Sequence, residues 1–407
     1  MVSAPAWLLD LTRLLSRVGR GPLTGIDRVE LAYLEHFLTL PAPIFALVRT
    51  AVGYVLLDRH GAQGISDRVQ GKVPLGPADL LGLFTQRHLP QSLRAEADAR
   101  RLAFARCLPF RLAIMLRRRL PRGTAYVNVG HANLSPRVMQ AVRAIPEAQI
   151  AVMVHDTIPL DYPQYCRPGM RDVFAQKLAV VAEHADFVVH TAQSTRIQTE
   201  LHFKPIPAGI VAPLGVDIAL PDAQLLGATK PPYFVVLGTI EPRKNIGLLV
   251  KVWRELQSGS GPVPHLYVVG NRGWAEPALY NDLAALAADG HATLLHGLSD
   301  GAVTALLLGA RALLFPSLAE GYGLPPIEAA ALGVPVLAGK LPVVVEMLGD
   351  YPVYLDTSDV YAWVKAVHHQ MRPRVQQSDA HQDNLVPPTW ADHFDHVLSR
   401  ADPQQKT

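Results

Sequence analysis

Two glutamates, Glu320 and Glu328, bracket the segment Gly-Tyr-Gly-Leu-Pro-Pro-Ile, and the apolar run Ala312 to Pro316 precedes it. A short apolar run closed by glycines and prolines, then an alanine-rich stretch, reads as a strand, a loop and a helix near Pro326 to Leu332. The first carboxylate then lies in the loop and the second inside the helix. Gly321 and Gly323, alternating with Tyr322 and Leu324, allow tight turns and close approach of a ligand. The helix start offers unpaired amides and the positive end of a dipole, which attract an anion. Glu320 and Glu328 can therefore address opposite ends of one ligand. A chance pair of glutamates is solvated surface, but the glycines, prolines and preceding strand set this pair apart.

A second block, Gly238-Thr239-Ile-Glu-Pro-Arg243-Lys244-Asn245, follows the apolar run Tyr233 to Leu237 and precedes a helical pattern from about Ile246 to Gln257. Two cations beside a helix start are unfavourable unless an anion compensates them. Arg243 and Lys244 thus suit a diphosphate and the charge that grows on it as a leaving group. A third candidate is His155, followed by Asp156, at the end of the run Ile150 to Val154; open α/β sheets present functional side chains at strand ends. Gly25, in the loop Gly21 to Arg28 before a helix over Val29 to Phe37, could lie against the same phosphates, although any strand-to-helix turn can contain glycine. Asn271, in the loop Gly270 to Trp274, and Gly297, after His296, are placed to border the ligand. Trp274 serves equally as a packing residue.

The elements that must hold these residues follow from alternation along the chain. Short apolar runs at Trp7 to Leu11, Ile44 to Val48, Ala125 to Val129, Ile150 to Val154, Phe187 to His190 and Ile210 to Ala212 are separated by helix-length segments. Such runs read as buried parallel strands. The segment Pro221 to Pro232 has linker composition. The alternation then restarts with Tyr233 to Leu237, His265 to Val269, Ala292 to His296, Ala312 to Pro316 and Val334 to Ala338, with helices near Ala278 to Ala288 and Asp300 to Gly309 between them. The chain of 407 residues suits two domains rather than one core. We expect domains over 1–225 and 226–385. A C-terminal segment, 386–407, follows, with a helix over Thr389 to Ser399 that crosses back to the first domain and a flexible tail from Ala401 to Thr407.

At the Glu320 to Glu328 block the sequence resembles the two-glutamate signature of the retaining glycosyltransferases of family four, and Gly238 to Asn245 resembles a mannosyltransferase-like bacterial subgroup. The resemblance implies an α/β protein of GT-B type: two facing Rossmann-like doubly wound domains with an interdomain cleft, the first on the acceptor side and the second binding the nucleotide sugar. It implies that Glu320 and His155 adjoin the donor sugar, that Glu328 hydrogen-bonds the ribose hydroxyls, and that Gly25 lies near the diphosphate. Many members carry Arg directly after the glycine where Thr239 stands here, which leaves open which cation makes the main contact. No cofactor or obligatory metal is implied, since basic side chains and helix starts supply the electrostatics and the nucleotide sugar is a substrate. The implied partners are a nucleotide-sugar donor, with mannose favoured over fucose or rhamnose, and a glycan or lipid-linked acceptor in surface polysaccharide assembly. An epimerase-like nucleotide-sugar enzyme and a non-catalytic nucleotide-sugar-binding module are the alternatives.

A net charge of +3 argues against nucleic acid as a partner, and the two cysteines, Cys107 and Cys166, read as free thiols. With 49% hydrophobic and 18% charged residues, no run of roughly 20 apolar residues and no signal-peptide pattern, the expected place is the cytoplasm. Arg100 to Arg122 interleaves arginines with Leu, Ile, Phe and Met. This suits peripheral contact with an anionic membrane at the inner face of the cell membrane; the plainer alternative is a helix with a solvated basic face, broken by Pro109.

Overall fold

The computed structural model describes residues 4–80, 90–224, 232–372 and 384–399. Among the described residues the strands form two sheets. The first contains β1 (Trp7–Asp10), β2 (Ile44–Thr50), β3 (Gly53–Leu57), β4 (Ala105–Cys107), β5 (Ala125–Asn128), β6 (Gln149–Val154), β7 (Phe187–His190) and β8 (Ala208–Val211), in the order β4-β3-β2-β1-β5-β6-β7-β8. The second contains β9 (Tyr233–Leu237), β10 (His265–Val269), β11 (Ala292–Leu295), β12 (Leu313–Phe315), β13 (Val336–Gly339) and β14 (Val353–Leu355), in the order β11-β10-β9-β12-β13-β14. Pairing is parallel throughout, except that β3 runs antiparallel to both β2 and β4.

This is the expected pair of doubly wound domains. The apolar runs become strands because residues such as those of β9 are buried throughout, and only a sheet covered by helices on both faces buries both sides of a strand. The winding direction reverses between β1 and β5 in the first sheet and between β9 and β12 in the second. Ligands of open α/β sheets bind at the carboxyl ends of the strands flanking such a switch. In the second domain those ends carry Gly238 to Asn245 and the Glu320 block.

The structure departs from the expected elements in places. β3 and β4 form an antiparallel arm that was not expected; β3 is buried throughout, whereas β4 and β14 are three residues long and partly exposed and lack the apolar run of a central strand. The helix expected from Val29 begins at Gly25 and runs to Thr39. Asp27 accepts from the Thr24 backbone N–H at 3.0 Å and from its hydroxyl at 2.6 Å, which closes the first turn early. The linker expected over Pro221 to Pro232 is described only as far as Gln224 and again from Pro232, and the tail Ala401 to Thr407 lies outside the described residues. Among the described residues no helix is long and apolar enough to cross a membrane.

The helix Trp390–Ser399 lies on the first domain, where Phe394 packs edge-on against Tyr33 and stacks on His36. His393 is buried, with Nδ1 3.0 Å from the Pro213 carbonyl and Nε2 2.8 Å from the Tyr33 hydroxyl. A carbonyl only accepts, so Nδ1 carries the proton and Nε2 accepts from Tyr33, which makes the ring neutral. Burial lowers the pKa of His393, and likewise of His155 and His190, to about 4. An unfolded histidine titrates near 6.5. Between those values the unfolded chain binds protons that the folded chain refuses, so stability falls as pH drops from about 6.5 towards 4. We expect calorimetry to show a lower melting temperature at pH 5 than at pH 7.5, and a shallower dependence after His393→Gln. A pH-independent melting temperature would show that these rings are charged in the fold.

Candidate active site

The loops after β9 and β12 meet at the switch point. The Leu318 N–H donates to the Arg243 carbonyl at 2.7 Å, which stitches the two loops together. Arg243 and Lys244 lie in a single 3₁₀ turn, Pro242–Lys244, ahead of the helix Ile246–Ser258, rather than in that helix's first turn. Their side chains converge on Glu320: Arg243 Nη1 lies 2.6 Å from Oε2 and Lys244 Nζ 2.5 Å from Oε1. Arg243 Nε also meets Glu241 at 2.5 Å. The compensating anion expected for the two cations is thus supplied within the chain, so their pairing does not by itself require a diphosphate. Burial alone would raise the Glu320 pKa, but Lys244 and Arg243 hold it down at about 2. Such a carboxylate stays ionised and is a poor base.

The Glu320–Leu324 loop also forms the seam between the domains. A Cβ on Gly321 would lie 2.8 Å from the His155 carbonyl and 3.0 Å from the Asp156 carboxylate, so only glycine allows this approach. Gly323 caps the helix Leu324–Ala331 with φ +90°, in the left-handed region that glycine adopts without cost. Tyr322, expected to line the donor site, has a buried ring and donates its hydroxyl to the Leu214 carbonyl at 3.0 Å, so its side chain serves the interface instead. The Leu324 side chain faces Gly25, whose added Cβ would stand 3.6 Å away, which places the first-domain loop opposite the helix start.

His155 follows β6 and is buried, with Nε2 2.6 Å from the Val129 carbonyl. Nε2 therefore donates and the ring is neutral, consistent with its depressed pKa. Thr239 and Asn271 are half-buried at the ends of β9 and β10, and the Asn271 side chain faces Gly21 of the first domain. Gly297 is exposed with open space around it. Trp274 donates its indole N–H to the Tyr165 carbonyl at 3.3 Å, and Arg167 stacks on its ring, so it packs the interface.

Glu328 was expected at the ribose hydroxyls of the nucleotide. Within the chain, Arg28 of the first domain donates to Glu328 Oε1 at 2.8 Å and also pairs with Asp300. The sequence carried a signal for this: an arginine in the first turn of a helix opposes the dipole and calls for carboxylates nearby. Asp156, Glu241 and Glu346 were also missed as site or interface groups. Glu346 accepts the N–H groups of Gln193 and Ser194 at 2.6 and 2.8 Å and so caps the helix Gln193–Glu200 across the interface.

The basic segment is also redistributed. Arg100 is buried between Asp79 and Glu96, so it does not fit the membrane contact expected of it, whereas Arg122 pairs with Glu147 on the exposed surface. Arg106, Arg111, Arg117, Arg118 and Arg119 remain exposed beside the exposed apolar residues Phe104, Leu108, Phe110 and Ile114.

Residues 221–376 match the family model of the glycosyl transferases group 1. Over 298 residues the chain is 28% identical to the serotype-specific mannosyltransferase WbdA of Escherichia coli, an alignment covering 66% of this chain and 35% of that protein. It is 32% identical over 141 residues to the O-antigen chain mannosyltransferase RfbU of Salmonella typhimurium, covering 34% and 38% of the two chains. The chain spans about a third of the length of these curated relatives. The fold is that of Anabaena HepE, solved in complex with UDP and glucose, with a TM-score of 0.64, 12% identity and 98% of both chains covered.

Breaking a buried ion pair by removing one partner costs about 3–5 kcal/mol, because the other charge is left uncompensated. Glu320→Ala should therefore destabilise the ligand-free protein to urea on that scale, and adding Lys244→Met should recover part of the loss. A cost below about 1 kcal/mol would show that the cations are solvated.

Proposed function

We propose that this chain, whose second domain is of the glycosyl transferases group 1 family, is a retaining glycosyltransferase. In this reading it moves a hexose or deoxyhexose, mannose first, from a nucleoside-diphosphate sugar to a hydroxyl of a glycan or lipid-linked acceptor in bacterial surface polysaccharide assembly. The observation that carries the reading is the Arg243–Glu320–Lys244 cluster at the switch point, beside the glycine-rich helix start and across the seam from His155. The mannosyltransferase relatives favour mannose.

The donor diphosphate would lie between Lys244, Arg243 and the amides at Gly323 and Leu324. These groups would stabilise the charge it gains as it leaves, without an obligatory metal. Glu320 is committed to two cations and too acidic to deprotonate an acceptor. The departing phosphate oxygen would take the hydroxyl proton as the C1–O bond to phosphate breaks and the acceptor oxygen bonds C1 on the same face. Neutral His155, with its Nε2–H committed to the Val129 carbonyl, would accept a hydrogen bond from a sugar hydroxyl at Nδ1 without adding charge.

The exposed arginines with Phe104, Leu108, Phe110 and Ile114 support a second element of the reading: peripheral docking on an anionic membrane, where a lipid-linked acceptor would be presented. Each basic side chain near such a surface contributes about 1 kcal/mol. Replacing Arg117, Arg118 and Arg119 by Ser should reduce co-sedimentation with phosphatidylglycerol vesicles and leave transfer to a soluble acceptor intact. Unchanged sedimentation would return the segment to a solvated helix face.

Incubation with GDP-, dTDP- and UDP-sugars and candidate acceptors tests the main reading. A product with the donor's anomeric configuration is expected, and inversion would refute the proposed mechanism. Lys244→Gln should lower kcat at least about a hundredfold, the scale of losing one preorganised electrostatic donor, when assayed at a temperature where its melting curve shows the variant folded, since losing a buried partner of Glu320 also costs stability. Near-normal kcat and donor affinity would place the phosphates elsewhere.

A further inference from the structure

Arg28 reaches from the first turn of the first-domain helix Gly25–Thr39 to two carboxylates of the second domain. Glu328 lies within the helix Leu324–Ala331, and Asp300 opens the helix Asp300–Leu308. Arg28 engages Glu328 through Oε1; among the described residues no group bonds Oε2. The Glu328 side chain is 15% exposed, whereas that of Asp300 is 56% exposed. An ion pair to so exposed a carboxylate adds little stability, so the contact that matters is the one to Glu328. The cavity bounded by Arg28, Asp300, Glu328 and Asp217 measures only about 20 Å³. That admits a water but no sugar ring.

We propose that Arg28 is a cross-domain positioning residue that holds the Glu328 carboxylate ionised and oriented, with Oε2 free for the ribose hydroxyls, so that the nucleotide site is complete only when the domains are together. This rests on the assignment of Glu328 to the ribose made above. Three observations support it. The planar guanidinium divides its fork, Nη1 to Glu328 and Nη2 to Asp300, and so ties the two carboxylates to one rigid group as a lysine could not. Burial raises the Glu328 pKa and Arg28 opposes that rise. The remaining charged groups around the carboxylate, Asp300 and Asp217, are both acidic, so Arg28 is the cation of the cluster.

The experiment is a double-mutant cycle in the full chain, read by titration calorimetry with GDP, or with UDP if the wild type binds that instead. Arg28→Gln should weaken binding about tenfold at pH 7.5, the scale for a charge-assisted contact, and Arg28→Lys should restore part of it. Arg28→Gln added to Glu328→Gln should cost nothing further. Without the guanidinium the Glu328 carboxyl titrates higher. Affinity of Arg28→Gln should therefore fall as pH drops from 8 to 6, while that of the wild type changes less. A penalty from Arg28→Gln that persists unchanged in the Glu328→Gln background and shows no pH dependence would make Arg28 merely structural and overturn the proposal. So would wild-type affinity of Arg28→Gln alongside weak binding by Glu328→Gln, and in that case the ribose assignment survives. Wild-type affinity of Glu328→Gln would instead remove the ribose assignment, and the positioning role with it.

Discussion

Glu320 sits where two loops of one sheet converge and holds two cations with two oxygens. Without it Arg243 and Lys244 would lose their shared partner in a single 3₁₀ turn, and burial would lower the Lys244 pKa further. Without them Glu320 would be a buried charge with nothing to balance it. The cluster therefore sets two cations against the carboxylates of Glu320 and Glu241 at the switch point of the second sheet. Because its charges are mutually compensated, the site can exist before any anion arrives, and little reorganisation is needed when one does.

The architecture was legible because its strands are central and apolar. Phe187 to His190, Tyr233 to Leu237 and His265 to Val269 coincide with strands to the residue, since a strand buried on both faces has no polar positions to blur its ends. The edge strands β4 and β14 were not legible, because half-exposed short segments look like loops, and the buried β3 was not identified either. The active-site motifs were legible where glycines and charges sit side by side in sequence. Arg28 with Glu328 was not, since 300 residues separate them. Sequence spacing carries no information on a contact made by bringing two domains together, and only the mismatch between an arginine and a helix dipole hinted at it.

Arg100 and Arg122 teach a related lesson. Read as sequence, the basic segment is one patch; folded, Arg100 is buried between Asp79 and Glu96 while Arg122 meets Glu147 at the surface, and the middle keeps its basic side chains exposed. A charge run says how much charge is present, and the fold decides which part is already spent on internal partners. The same holds for Arg243 and Lys244, whose partner proved to be a carboxylate of the chain itself.

The seam between the domains runs through the donor loop rather than beside it. The Gly321 carbonyl accepts from Thr195, Tyr322 donates to Leu214, and the Gly321 α-carbon faces His155 and Asp156 too closely for any side chain. The backbone that starts the helix Leu324–Ala331 is thus shaped by first-domain groups, and Arg28 extends the same dependence to Glu328 within that helix. Separating the domains would release the loop from these contacts and Glu328 from its guanidinium together. The second domain carries most of the side chains proposed to bind the donor, yet their arrangement belongs to both domains, so donor binding in that reading is linked to the position of the first domain.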